Sequence, residues 1–90
     1  DQLCKNCASL KHVVLPETLT SMYDYTFQNC TSLEYVICHA VTPPSLGVRN
    51  FENTNNCPIY VPDASVTAYR EASGWVNYAD RIKPLSEYTE

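Results

Sequence analysis

Glycine is nearly missing from this chain: Gly47 and Gly74 are the two in 90 residues. Loops that cradle phosphate on successive glycines are thereby excluded. Basic residues are few as well. The six Lys and Arg are scattered from Lys5 to Lys83 and the net charge is -4, whereas holding a nucleic-acid backbone takes a basic stripe. No apolar run nears the ~20 residues that cross a bilayer, so no direct membrane insertion is expected of this stretch. No secretory leader is visible, and Asp1 opens inside a repeat-like phrase; the chain reads as a piece of a longer protein, cut at its N-terminal side.

What is present points to one small folded unit. Hydrophobic residues make up 44% and tyrosines number seven, too apolar a composition for disorder. Ninety residues hold at most one domain with a thin core. The five cysteines, Cys4, Cys7, Cys30, Cys38 and Cys57, are an odd number, so they cannot all pair within the chain.

Shifted by 23 residues against itself, the chain brings three short phrases into register: Val13-Val14-Leu15-Pro16, Val36-Ile37-Cys38-His39 and Ile59-Tyr60-Val61-Pro62. Upstream, Asn6-Cys7-Ala8-Ser9-Leu10 matches Asn29-Cys30-Thr31-Ser32-Leu33 at the same spacing. Such repeats, with a Leu-x-x-φ-x-φ phrase (φ apolar), are the signature of a leucine-rich solenoid. Period 2 turns Val13, Leu15, Val36, Cys38, Ile59 and Val61 inward, and Leu10 and Leu33 join them from the approach to each strand. Stacked strands then place Val13, Val36 and Ile59 in one ladder and Leu15, Cys38 and Val61 in the next. On the return path the expected anchors are Leu19, Met22, Phe27 and Cys30, then Leu46, Val48 and Phe51. Phe51 comes one residue late, which calls for an insertion near Pro43 and a deletion before Cys57.

The sequence predicts a C-terminal helical cap over the last coil. Asp63 or Ser65 can cap a helix from Val66, with Val66, Tyr69 and Ala72 on one side. Gly74 ends or kinks it, and a second helical stretch carries Trp75, Tyr78, Ala79 and Ile82 until Pro84 stops it. The expected fold is a β-rich solenoid: coils over residues 1–62, a cap over 63–86 and a tail over 87–90.

Several phrases resemble the bacterial surface leucine-rich repeats called BspA-like. They are Tyr25-Thr26-Phe27-Gln28-Asn29-Cys30-Thr31-Ser32-Leu33-Glu34-Tyr35-Val36, Leu15-Pro16-Glu17-Thr18-Leu19-Thr20-Ser21-Met22 and Ala40-Val41-Thr42-Pro43-Pro44-Ser45-Leu46. The stretch from Cys57 to Pro62, with Ser65 to Tyr69 and Gly74-Trp75, looks like the terminal unit of such arrays in gut Bacteroides-type bacteria. Tyr23 and Asp24 stand where a glycine is frequent, and Tyr25-Thr26 where a small residue is common, which alters a turn. The resemblance implies a secreted or cell-surface protein that adheres to or recognises a host or microbial surface protein or glycan. It implies no catalytic residues and no cofactor.

Other chemistry has little to stand on. Cys4-Lys5-Asn6-Cys7 is spaced as half a zinc site, but the second pair is missing. Cys7 and Cys30 share one repeat position, and Cys4 takes that of Phe27, so core packing is the simpler reading. His12 and His39 lack any nucleophile-elbow motif, and Glu17, Asp24 and Glu34 read as solvated surface rather than a glycosidase pair. Period 2 sends His12, Val14, Tyr35, Ile37, His39 and Tyr60 outward, in columns His12–Tyr35–Pro58 and Val14–Ile37–Tyr60. Two tyrosines on a partly apolar face suit a protein or glycan partner. Equally, Val14 and Ile37 can be strand-forming residues covered by neighbours. The two expectations are thus a non-catalytic recognition module and a structural spacer or stalk without a ligand of its own.

Overall fold

The computed structural model describes residues 6–22 and 24–88. The expectations for Cys4, as a core residue, and for Tyr23, as an altered turn, lie outside the described residues.

Four short strands form one parallel sheet in the order β1-β2-β3-β4: β1 His12–Leu15, β2 Tyr35–Cys38, β3 Ile59–Val61 and β4 Ile82–Pro84. Val13 pairs with Val36, Val36 with Ile59, and Ile59 with Ile82. These β-branched side chains sit on the pleat's inner face, where branching favours the extended backbone. Val36, Ile59 and Ile82 are fully buried, and Val13, on the edge strand, nearly so. The block measures 31 × 27 × 23 Å.

Here the structure corrects one sequence expectation. Ile82 is not on a helix stopped by Pro84; Ile82, Lys83 and Pro84 are strand residues opposite Ile59, Tyr60 and Val61. The same spacing that aligned the first three phrases extends to this one. Pro84 is tolerated because β4 is an edge strand, where a missing N–H breaks no ladder bond on the outer side.

The return path runs one residue out of step with the strands. His39 N–H still donates to Leu15 O, while Ser21 bridges to Ser45, Phe27 stacks on Phe51 at 5.8 Å, and Asn29 meets Asn53. The extra residue therefore enters between His39 and Ser45 and is lost again between Asn53 and Ile59, in agreement with the offset read at Phe51. This shift puts Thr54 in the position of Cys30, buried, with its hydroxyl donating to Phe51 O at 2.6 Å. Val48, expected as an anchor, is 54% exposed instead; it takes the outward position of Asp24, whose carboxylate accepts the Val48 N–H.

With two glycines in the chain, asparagine supplies five of the seven non-glycine left-handed positions among the described residues, Tyr25 and Arg49 being the other two. Asn6, Asn29 and Asn53 have φ of 64°, 64° and 59°, a region asparagine tolerates better than most side chains. Their amides form a chain across the coils: Asn29 donates to Asn6 at 2.9 Å and Asn53 to Asn29 at 3.1 Å. Gly47 is needed for another reason, since a Cβ there would lie 2.6 Å from the Asp24 backbone nitrogen.

After β3 the chain turns through Asp63–Ser65 into α1, Val66–Glu71, and continues through a 3₁₀ stretch, Trp75–Arg81. Neither Asp63 nor Ser65 caps α1 with its side chain: Ser65 Oγ donates to Val41 O, and Asp63 Oδ1 accepts from Ser86 N. The helix ends before Gly74, which takes φ of 84° in the link. Tyr69 and Trp75 are fully buried and meet edge to face at 4.9 Å. Each also satisfies its polar atom, Tyr69 Oη donating to Ala40 O and Trp75 Nε1 to Pro44 O, as a buried aromatic must. Burial, with Cys38 alongside, holds the Tyr69 hydroxyl well above its ordinary pKa. Val66 and Tyr78 pack against the core while staying partly accessible. Arg81 binds the 51–57 loop, donating to Cys57 O, Phe51 O and Thr54 Oγ1.

The remaining expected core residues divide by position. Leu33, Cys30, Cys38 and Val61 are fully buried, and Phe27 and Phe51 nearly so. Cys7, Leu10 and Leu15 pack against this core but stay partly exposed, because no strand among the described residues pairs outside β1.

Candidate recognition surface

Alternation along the strands leaves a second face opposite the core, and every outward residue of β1 and β2 lies on it. His12 pairs in register with Tyr35, Val14 with Ile37, Ile37 with Tyr60, and Tyr60 with Lys83. The His12 ring lies flat on Tyr35, with centroids 4.3 Å apart and planes 15° from parallel. His12 Nε2 lies 2.9 Å from Glu34 Oε1. Both side chains of this pair are about half exposed, so it orients the imidazole while adding little stability.

Val14 is 60% exposed and His39, just beyond β2, is exposed. Ile37 is the correction on this face: it points away from the core cluster and yet is only 7% exposed. Residues 85–88 follow β4. They turn back over β3, and Tyr88 meets Tyr35 at 5.0 Å and Tyr60 at 5.4 Å, edge to face in both cases. Ile37 follows Tyr35 on the same strand face and stands beside Tyr60, at the corner of that aromatic triangle. The hydroxyls of Tyr88 and Tyr35 are 3.2 Å apart, with Tyr88 donating. Tyr35, Tyr60 and Tyr88 are each half-buried.

The strip His12–Tyr35–Tyr88–Tyr60 therefore brings together the aromatic positions expected from alternation and adds one that sequence reasoning placed in a tail. Glu34, read as plain surface, belongs to it as well. No repeat signal marked Tyr88: the residues 23 positions before Ser86 and Tyr88 are Asp63 and Ser65, which do not resemble them. Among the larger concavities, a groove of about 520 Å³ runs between residues 17–20 and 41–44, and one of about 410 Å³ lies between the 51–56 loop and Asn77, Tyr78 and Arg81. Neither includes a residue of the strip. Its chemistry is that of a shallow ring-lined surface, not of an enclosed cleft.

Among the described residues no group of three or more His, Cys, Asp or Glu is placed to hold a metal ion. The thiols of Cys7, Cys38 and Cys57 are free. Burial raises the Cys57 thiol pKa, and the nearby Arg81 guanidinium only partly opposes this. Cys38 Sγ lies 3.2 Å from Tyr69 Oη and serves packing. No helix of the described residues is long and apolar enough to cross a membrane.

No curated protein matches the chain. The family model described as "BspA type Leucine rich repeat region (6 copies)" matches residues 1–73. That span takes in β1 to β3 and α1, with the phrases that set the strand register, and the chain belongs to the BspA type leucine-rich repeat family.

Proposed function

We propose that this chain is a non-catalytic recognition or adhesion module of a bacterial cell-surface or secreted protein, contacting a protein or glycan through the outer face of its sheet. In this reading the coils belong to a solenoid of 23-residue repeats, and residues 63–86 close it as a cap. The observation that carries the proposal is the aromatic strip. Tyr35 and Tyr60 stand half-buried on the solvent side of the sheet, outside the core cluster. Tyrosine offers ring area and a hydroxyl with few rotamers to freeze, which is why it is enriched where proteins meet partners.

A spacer role is favoured by a different observation: Tyr88 already covers part of the strip. Capture of purified surface proteins and immobilised glycans by the chain separates the two. A Tyr35→Ala, Tyr60→Ala double variant is expected to lose capture with its circular dichroism unchanged, whereas Val76→Ser, at an exposed position off the strip, keeps it. Undiminished capture by the double variant sinks the assignment of the face, and no capture by the wild-type chain favours the spacer.

A further inference from the structure

We propose that the groove between the 51–56 loop and Asn77, Tyr78 and Arg81 binds a carboxylate-bearing sugar of the uronic acid kind. The site stands off the aromatic strip and goes beyond the reading of the outer face.

The repeat itself shows what this place accepts. The Asn6 N–H donates to Gln28 O at 2.7 Å, and one coil on the Asn29 N–H donates to Glu52 O at 2.9 Å. Each is a left-handed asparagine that hands its backbone donor to an oxygen of the next coil. Asn53 is the third of the series, with φ of 59° and its side chain joined to Asn29. Beyond it lies the 3₁₀ stretch instead of a coil. There Tyr78 Oη accepts the Phe51 N–H, in place of the carbonyl that Asn50 offers to the Phe27 N–H one coil earlier. The Asn53 N–H meets no acceptor among the described residues. A ligand oxygen set there completes the pattern of the two coils before it.

Charge makes that oxygen a carboxylate. Arg81 lines the same groove and is half-buried. Its guanidinium donates to Cys57 O, Phe51 O, Thr54 Oγ1 and Cys57 Sγ, and it has five N–H groups to give. Among the described residues the ion pairs are His12–Glu34 and Arg49–Glu52, so no carboxylate balances Arg81. Glu52 also lines the groove, but Gln28 Nε2 and Arg49 take up its two oxygens. Asp80 lies in the adjoining concavity instead.

The rest of the lining selects a sugar. The side-chain amides of Asn56 and Asn77 are exposed and make no hydrogen bond among the described residues. Each offers donors and an acceptor together, which matches hydroxyls that both donate and accept. The volume of about 410 Å³ lies within the roughly 300–1,000 Å³ of small-molecule sites. An acidic peptide would need apolar pockets for its anchoring side chains. The rings here serve each other, with Phe51 buried and edge to face with Tyr78 at 5.5 Å.

The experiment titrates the nitrogen-15-labelled 90-residue chain with methyl glucuronide and follows its NMR signals. The Asn53 backbone amide, the Asn77 side-chain amide and Arg81 Nε are expected to shift saturably, while the rings of Tyr35 and Tyr60 stay in place. Methyl glucoside, the same ring without the carboxylate, should bind about tenfold more weakly. Arg81→Gln should abolish the shifts. Asn77→Asp, at an exposed position, sets a like charge beside the ligand and should weaken methyl glucuronide about tenfold; it carries the test should Arg81→Gln fold poorly. The proposal is overturned by no saturable shift at these three groups, by equal affinity for the glucoside, or by unchanged affinity in Asn77→Asp. Shifts confined to the Tyr35 and Tyr60 rings also overturn it, and place sugar binding on the strip. So does equally tight binding of acetyl-Gly-Glu-Gly amide, which would make the groove a site for peptide carboxylates.

Discussion

The sheet has two edges, and they are finished in different ways. At β1 the edge strand is His12–Leu15, with no proline in it. The inward positions around it, Cys7, Leu10 and Leu15, stay partly open. At β4 the edge strand ends in Pro84, and the aromatic layer of Tyr69 and Trp75 is fully buried on the core side. The 85–87 turn then folds over the outer face, with Tyr88 on Tyr35 and Tyr60. Residue type does not account for the contrast: Leu10 and Leu33 occupy equivalent positions, and only Leu33 is fully buried. Position in the stack decides burial. Each strand covers its neighbour's inward side chains, so those at an edge stay partly open unless another segment covers them.

The largest effect expected from this contrast is on stability. Trp75→Ala removes a fully buried ring and its bond to Pro44 O, and should cost about 4 kcal/mol. Leu10→Ala at the other edge removes a side chain still in contact with water and should cost about 1 kcal/mol. Urea unfolding of the two variants measures the difference. Equal losses would mean that the β1 edge is as well covered as the β4 edge, and the comparison would fail.

How much of this was written in the sequence follows from the same contrast. The inward ladder was legible because one interval aligns Val13, Val36 and Ile59, and period 2 assigns their faces. The slip at Phe51 was legible too, since a phenylalanine out of step leaves few places for an insertion. The fourth rung was missed because Ile82 follows a helical run and precedes a proline, both local signals against a strand. Those signals lost to register: once Ile59 lacks a neighbour, the isoleucine 23 residues on completes the ladder. On the outer face, alternation puts His12, Tyr35 and Tyr60 side by side, and the strand register pairs His12 with Tyr35 and Ile37 with Tyr60. Cover over Ile37 was the plainer of the two readings, but alternation alone could not name Tyr88 as the residue that folds onto Tyr35 and Tyr60.

Thiol chemistry probes the two edges more gently. Cys7 lies in the partly open coil, whereas Cys30 and Cys38 are fully buried and Cys57 nearly so. Desolvation also keeps the Cys57 thiol protonated, and the thiolate is the reactive form. With an aromatic disulfide reagent at neutral pH, peptide mapping should show Cys7 modified at least about tenfold faster than Cys30, Cys38 or Cys57, whose exposure needs larger openings. Comparable rates for Cys7 and Cys30 would show that coil position gives no protection.

The smallest effect belongs to the cover at the β4 edge, and its sign follows from Asp63. The backbone N–H of Ser86 donates to this carboxylate and, with the Ser86 side chain, holds its pKa below the ordinary carboxylate value. A depressed pKa in the docked state means that the ionised form favours docking. The contribution is therefore complete above the ordinary carboxylate pKa and is lost as pH falls through the lowered one. Asp63 is fully exposed, so the change is confined to the 85–88 segment and leaves the core folded. As pH falls through the lowered carboxylate pKa, the Ser86 amide resonance should move toward its unstructured position, with a midpoint below that of an ordinary carboxylate. The Tyr35 and Tyr60 ring signals should follow it as Tyr88 leaves. Asp63→Ala should show the undocked positions at every pH. A Ser86 resonance insensitive to pH in the wild-type chain would mean that the cover is held by Tyr88 alone, and the two edges would then differ in their aromatics and not in their electrostatics.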